Sequence, residues 1–295
     1  MLLKKSKKIF VFCLILGLSL PAGFSQTPPE EKVIPDSIKK AVKETNYNEI
    51  RIKPFPIAMQ SWTYRRYTFF EALDRTKALG LSHIQAYPGQ RVSKELPASV
   101  VFDHQLGDEQ IEMIKEKLRA VEVKVVAYGV VDIGQTENQM RRVFDFARKM
   151  GIRTIVTEPQ AEDYPLLEKL VKEYDIQIAI HNHPEPARYA YPLTVLKHLK
   201  NLDSRIGVCA DTGHWLRCGL DPVECLRLLE GRIIDVHLKD RSDFGTKGAE
   251  DVAFGSGKGR IKDILAELTR QDYDGYLTIE YENEKNVLDP EPDLK

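Results

Sequence analysis

The sequence predicts a (β/α)8 barrel, one α/β domain with a short N-terminal extension, and three observations carry that expectation. From residue 55 onward the 295-residue chain alternates short β-type runs with amphipathic helical stretches eight times. Such alternation calls for a parallel sheet covered by helices. Setting aside an N-terminal export signal leaves about 270 residues, a usual size for one closed barrel. Four of the runs end in a side chain fit for metal ligation: Glu158 in IVTEP, Asp211 in VCADTGHW, His237 in VHLKD and Glu280 in LTIEYE. Strand ends are where barrels of this kind gather their chemistry. An open, doubly wound sheet would need a glycine fingerprint after its first strand, and QSWTYRR stands there instead.

The elements follow in order. MLLKKSKK, the apolar stretch IFVFCLILGLSL and the small, polar PAGFSQTPPE read as a secretory signal over residues 1–25, cleaved near Ser25 and Gln26. The apolar stretch is shorter than the roughly 20 residues that a membrane crossing needs. The expected product is therefore an exported, periplasmic protein with no stable membrane insertion. Cys13 lies inside the apolar stretch rather than after a cleavage site, which leaves a lipid no attachment point. Residues 26–50 form a polar, Pro-bearing lead-in with room for one short helix, 51–285 the barrel, and 286–295 a tail. Strands are read at IAMQSW, HIQAY, VKVVAYG, RTIVTE, IQIAIHNH, IGVCAD, IIDVHLK and YLTIEY. Helices are read at FFEALDRTKALG, DEQIEMIKEKLRAVE, ENQMRRVFDFARKMG, YPLLEKLVKEYD, LTVLKHLKNL, DPVECLRLLEG and IKDILAELTRQD. Gly80, Gly151 and Gly231 end helices in the left-handed conformation, while Asp108 and Asp221 are placed to cap helix starts.

Composition removes some function classes. With 43 basic and 44 acidic side chains the net charge is -1, and no basic run follows the signal. The phosphate attraction behind tight nucleic-acid binding is missing, so no nucleic-acid partner is expected. Three cysteines remain after the signal, Cys209, Cys218 and Cys225, and an odd count is not a full disulfide framework. Cys218 and Cys225 either pair or stay as buried thiols. FGSGKG looks like a phosphate loop, but it lacks the first glycine, Arg260 follows where Ser or Thr should stand, and no strand leads into it. The surrounding stretch, DRSDFGTKGAEDVAFGSGKGR, is expected to be a mobile lid that brings Arg241 to the substrate.

Phase within each strand sorts the site candidates, because successive side chains alternate faces. In IQIAIHNH the isoleucines 176, 178 and 180 face the helices, which turns Ala179, His181 and His183 inward. In VHLKD, Val236 and Leu238 face out, which turns His237 and Lys239 inward. Asp211 shares a face with Gly207 and Cys209, and Glu280 with Thr278. Several carboxylates and imidazoles in one barrel mouth are costly to bury without a compensating charge, and one divalent cation is the simplest compensator. Glu158, Asp211, His237 and Glu280 are the expected ligands. Three carboxylates and one imidazole favour Mn2+ or Mg2+, with Zn2+ or Co2+ also compatible. His104, in a loop, and His198, on a helix, are expected to be solvated. Trp62, Gln85 and Tyr87 are placed to form a sugar-binding wall.

ADTGHW, VHLKDR, the glycine loop FGSGKG and LTIEYE together resemble the xylose-isomerase-like TIM-barrel superfamily of sugar isomerases and epimerases over roughly residues 55 to 283. The resemblance implies one catalytic metal held by strand-end Glu, Asp, His and Glu. It places Asp211, His237 and Glu280 on ligand positions and His214 on that of a substrate-binding histidine. One departure stands out. Where epimerases of this group carry a proton-transferring glutamate on the fifth strand, this chain has His181, and the nearest strand-end glutamate is Glu158. Glu158 is expected to supply the missing carboxylate, while His181 or His183 takes over proton transfer or joins as a further ligand. Lys239 would steady an oxyanion or donate a proton. The implied activity is isomerisation or epimerisation of a sugar through an enediolate. The same site would also suit a lyase or hydratase that eliminates the glycosidic substituent of a 3-keto-glycoside. A metal-dependent endonuclease lacks the required basic face, and a non-catalytic periplasmic sugar-binding protein would need no metal.

Overall fold

The computed structural model describes residues 29–295, so the signal and Cys13 lie outside the described residues. Eight parallel strands close into a barrel: β1 (Ile57–Gln60), β2 (His83–Ala86), β3 (Lys124–Tyr128), β4 (Thr154–Thr157), β5 (Gln177–His181), β6 (Ile206–Asp211), β7 (Ile233–Leu238) and β8 (Tyr276–Ile279). Each strand pairs with its sequence neighbours, and β1 closes the ring on β8 with Ile57 opposite Leu277. The fold class is the one expected from strand and helix alternation.

The alternating strand pattern builds two separate apolar layers. Ile176, Ile178, Ile180, Val208 and Val236 belong to the large core between sheet and helices, whereas Ala127, Val156, Ala179 and Cys209 form a small cluster inside the barrel. Each fully buried aliphatic side chain of the outer layer contributes about 1.5–3 kcal/mol, so a one-residue slip in strand phase would forfeit several of these at once. Gly207 is required by a close approach: a Cβ there would stand 2.3 Å from the carbonyl oxygen of Arg232.

The helices are α1 (Asp36–Glu44), α2 (Phe69–Ala78), α3 (Asp108–Val121), α4 (Glu137–Met150), α5 (Tyr164–Tyr174), α6 (Pro192–Leu199), α7 (Thr212–Arg217), α8 (Pro222–Leu228), α9 (Ile261–Arg270) and α10 (Glu291–Leu294). None of the described helices is long and apolar enough to cross a membrane. Asp221 caps α8 by accepting from the Val223 amide. Asp108 does not cap: it is the first residue of α3, whose cap is Gly107, and its carboxylate pairs with Lys149. Besides α10, in the expected tail, two pieces are absent from the pattern read in the sequence. One is α7, a single short turn of helix directly after Asp211. The other is an antiparallel ribbon of Gln90–Arg91 and Val101–Phe102. Cys209, Cys218 and Cys225 are all free and buried.

The glycine loop after β7 is anchored rather than loose. Asp240 accepts hydrogen bonds from the amides of Gly255 at 2.8 Å, Gly257 at 3.0 Å and Gly259 at 2.7 Å. Its longest exposed run is residues 242–248.

At the other side of the molecule Glu267, on α9, ties the N-terminal segment to the barrel. Its carboxylate has no solvent exposure. It accepts from Arg227 Nε at 2.7 Å, Tyr47 Oη at 2.8 Å, Arg270 Nη2 at 2.8 Å and Gln271 Nε2 at 2.7 Å. Burial alone would raise its pKa, but Arg227, Arg270, Gln271 and Tyr47 outweigh burial and bring it to about 2. A carboxyl depressed in the fold contributes stability above its unfolded value of about 4.3, and that contribution fades as the pH falls toward 2. Glu267→Gln should therefore lower the unfolding free energy at pH 7 by about 3 kcal/mol. It should also flatten the acid limb of a Tm-against-pH curve between about pH 4 and 2. A limb identical to wild type would show that the network does not stabilise the fold.

Candidate metal centre

Four strand ends bring His181, Asp211, His237 and Glu280 to one level of the barrel mouth. The register makes this geometric: His181 lies opposite Cys209, Asp211 opposite His237, and Thr278 opposite His237. All four residues are buried, and one ligand atom from each lies within 4.8 Å of the others. His237 Nδ1 is 2.8 Å from Glu280 Oε2 and 3.9 Å from Asp211 Oδ2, and His181 Nε2 is 3.5 Å from Asp211 Oδ2.

The hydrogen bonding around this tetrad points to a cation. Gln85, on β2, donates to the carbonyl oxygen of Gly129 at 3.5 Å, which turns its own oxygen toward His237 Nε2 at 3.1 Å. His237 thus donates from Nε2 to Gln85, and its Nδ1 faces the Glu280 carboxylate. His181 Nε2 and His237 Nδ1 are buried without a hydrogen-bond partner, and Asp211 Oδ2 and Glu280 Oε2 have only the Lys239 ammonium, 3.0 Å from each. Carboxylates and imidazoles gathered this closely in a dry site suit a shared cation, and a divalent ion bound there would release the proton that His181 carries. Two imidazoles with two carboxylates fit such an ion, and the set contains more nitrogen than the expected three carboxylates and one imidazole. Manganese accepts both donor types, as zinc and cobalt do, whereas magnesium prefers oxygen.

Glu158 falls outside this tetrad. It stands one residue beyond β4 and reaches toward the end of β5, where its Oε1 is 3.6 Å from His181 Nδ1 and hydrogen-bonded to His183 Nδ1. The carboxylate is lowered to about 2: burial would raise it, and the two imidazoles prevail. Burial alone would lower the His181 imidazole, but Asp211 and Glu158 lift it to about 9. His183 is the more open of the pair, with its side chain 47% exposed. It lines a cavity of about 280 Å3 together with Gln60, Trp62, Tyr87, Glu280 and Glu282, and no lysine or arginine borders that cavity among the described residues.

The other expected site residues divide. Trp62 meets Tyr87 edge to face at 4.9 Å and borders the cavity. Gln85 does not border it: the side chain is fully buried and holds His237 in place. His214 is buried, with its amide donating to Asp211 Oδ1 at 2.8 Å and its imidazole held well below the ordinary value by burial. Arg241 is 1% exposed and committed to Asp251 at 2.6 Å, so it is a loop anchor and not a substrate contact. Lys239 is fully buried against Asp211, Glu280 and Glu282. The two outlying histidines are half-buried and packed: His104 Nδ1 meets the Tyr128 hydroxyl at 3.3 Å, and His198 stacks on Tyr164.

Several participants escaped sequence reasoning. Asn182 bonds both the amide and the carbonyl of Asp211, at 2.8 Å and 3.0 Å. Asp235 lies one layer below the site, accepting from Thr278 at 2.8 Å, and burial pushes its carboxyl up. Asp251 accepts from the Glu282 amide at 2.7 Å and so fixes that carboxylate's backbone. The strand phase of Asp235 matches that of His237, which was the signal available for it.

The comparisons agree with the fold. The family model described as "Xylose isomerase-like TIM barrel" matches residues 19–295. An uncharacterized protein from Parabacteroides distasonis, whose crystal structure is known, is 32% identical with a TM-score of 0.65, covering 81% of this chain and 96% of that one. The inosose dehydratase of Histophilus somni is 26% identical over 159 residues, which are 47% of this chain and 53% of that protein. The chain thus spans about half of that relative's length. The 3-keto-D-glucoside 4-epimerase of E. coli shares the fold at 14% identity and a TM-score of 0.61, over 81% of this chain and 97% of that one.

Groups that orient a ligating imidazole typically account for about 10–100-fold in metal affinity. Gln85→Leu should therefore weaken Mn2+ binding by about that factor while leaving the Tm of the chelator-treated protein within a few degrees of wild type. Competition with a chromophoric chelator measures the first and differential scanning calorimetry the second. Unchanged Mn2+ affinity would mean that His237 needs no such support.

Proposed function

The chain belongs to the xylose isomerase-like TIM-barrel family, and from that premise we propose that it removes a proton next to the carbonyl of an unphosphorylated sugar, with one divalent cation in the tetrad. The observation that carries the reading is His183, which faces the cavity with Glu158 behind it and the cation site beside it. Glu158 accepts from His183 Nδ1, which leaves Nε2 free to take a proton from a molecule in the cavity; a carboxylate in that position also stabilises the imidazolium that results. A bound divalent ion supplies Lewis-acid polarisation of the carbonyl. Trp62 and Tyr87 offer aromatic surface to the apolar face of a sugar, and Gln60 offers an amide to its hydroxyls. The lack of lysine and arginine around the cavity favours a neutral substrate. The signal-like N-terminus favours the same choice, since it suits a periplasmic protein that meets free sugars or glycosides.

The site offers one uncommitted base. Glu280 and Glu282 also border the cavity, but the first faces His237 and Lys239, and the second accepts from Lys239 at 2.7 Å. Inversion at a carbon calls for bases on both faces, whereas one base serves 1,2-isomerisation or the loss of a substituent β to the carbonyl. Sequence similarity to an inosose dehydratase favours elimination as the second reading, with a 3-keto-glycoside as a substrate that would release its aglycone.

His183→Asn should lower kcat by about 10²–10⁴-fold with little change in KM, and Glu158→Gln should fall between that variant and wild type. Assays in D2O on free ketoses and on 3-keto-glycosides separate the outcomes. Deuterium at the carbon next to the carbonyl supports isomerisation, and aglycone release supports elimination. Full turnover by His183→Asn would remove this histidine as the base.

A further inference from the structure

Lys239 is the one lysine or arginine inside the ligand cluster among the described residues, and its surroundings specify its place. The side chain has no solvent exposure. Its Nζ stands 3.0 Å from Asp211 Oδ2, 3.0 Å from Glu280 Oε2 and 2.7 Å from Glu282 Oε2. The first two atoms are the same oxygens that face His237 Nδ1 and, for Asp211, His181 Nε2. Each oxygen therefore has an imidazole on one side and an ammonium on the other.

Two neighbours make room for this arrangement. Gly213 lies against the lysine stem, and a Cβ at that position would come 2.6 Å from Lys239 Cβ and 2.9 Å from Cδ. Thr212 Oγ1 accepts from the Lys239 amide at 3.1 Å and reaches the carbonyl oxygens of His237 and Lys239 at 3.2 Å each.

Two-metal sites use shared carboxylates to hold a second ion about 3.5–4 Å from the first. We propose that the Lys239 ammonium is a tethered substitute for that second ion, which restricts the centre to a single exchangeable metal. Three carboxylates converge where one ion and one ammonium satisfy them, and a second dication would have to share its ligands with a charge it cannot displace. The inference rests on the reading of the tetrad as a metal site. Lys239 acts here by excluding and positioning, and it does not line the cavity. Glu282 is the carboxylate that this role releases: without the lysine it joins Asp211 and Glu280 as a free donor.

The test counts metal. The full-length protein, stripped with chelator, is loaded with excess Mn2+, freed of unbound ion and analysed for manganese per chain by plasma mass spectrometry, with electron paramagnetic resonance in parallel. Wild type should hold one ion with an uncoupled spectrum. Lys239→Ala should hold two with a spin-coupled spectrum, and Lys239→Ala combined with Glu282→Gln should return to one. A wild-type chain with two ions overturns the proposal, as does a folded Lys239→Ala that keeps one. Wild type with no ion would overturn the metal-site reading itself and is distinguishable from both. If Lys239→Ala fails to fold, Lys239→Met preserves the packed stem and carries the same expectation, and the wild-type count still decides against the proposal if it exceeds one.

Discussion

The structure depends on how negative charge is balanced in a space that excludes water. Asp211, Glu280 and Glu282 converge from the ends of β6 and β8, and their mutual repulsion in a buried site would exceed what packing returns. Positive charge arrives from two directions. Lys239 supplies it from the β7 side, and the unpartnered imidazole nitrogens of His181 and His237 leave room for more from a divalent ion. The rest of the barrel mouth serves this balance: Asn182 fixes the Asp211 backbone, Gln85 sets the His237 tautomer, and Gly213 admits the lysine stem. These contacts also explain why a motif as short as ADTGHW carries so much of the site, since each of its residues through His214 touches a ligand or its support.

A division of labour follows between the two histidines at the end of β5. His181 points down into the cluster and is fully enclosed, while His183, two residues further and beyond the last paired residue of the strand, opens toward the cavity. Glu158 stands against both. One carboxylate thus orients a ligand and a base at once, so a change at Glu158 would be felt in metal affinity and in proton transfer together. The His183–Glu158 pair also departs from the two glutamates that the family resemblance implied. On the proposed reading, that departure would narrow the chemistry toward reactions needing a base on one face only.

Much of this was legible in the residues. The eight strands, their inward phase and the convergence of Asp211, His237 and Glu280 follow from period-two alternation, which is a local property. The assignments that changed all depended on distances between segments far apart in the chain. Glu158 and His181 both sit at strand ends, and nothing in either segment says which of them meets Asp211. Register across β4, β5 and β6 decides it. Arg241 looked mobile because its neighbours are glycines and charged residues, yet Asp251, ten residues on, closes an antiparallel bridge with it. Asp235 has the phase of His237 but was hidden by its apolar flanks. Lys239 was assigned to substrate because its inward phase was visible while its three carboxylate partners were not.

The amides of Gly255, Gly257 and Gly259 form a concave row of donors of the kind that elsewhere grips anions, and here the guest is the protein's own Asp240. Because that carboxylate is covalently attached, its local concentration exceeds that of any dissolved competitor. A phosphorylated ligand approaching this side of the mouth would find the nest already filled. The loop's glycines therefore act as a self-quenched receptor, whose amides are taken by a resident carboxylate before any anion from solution can reach them.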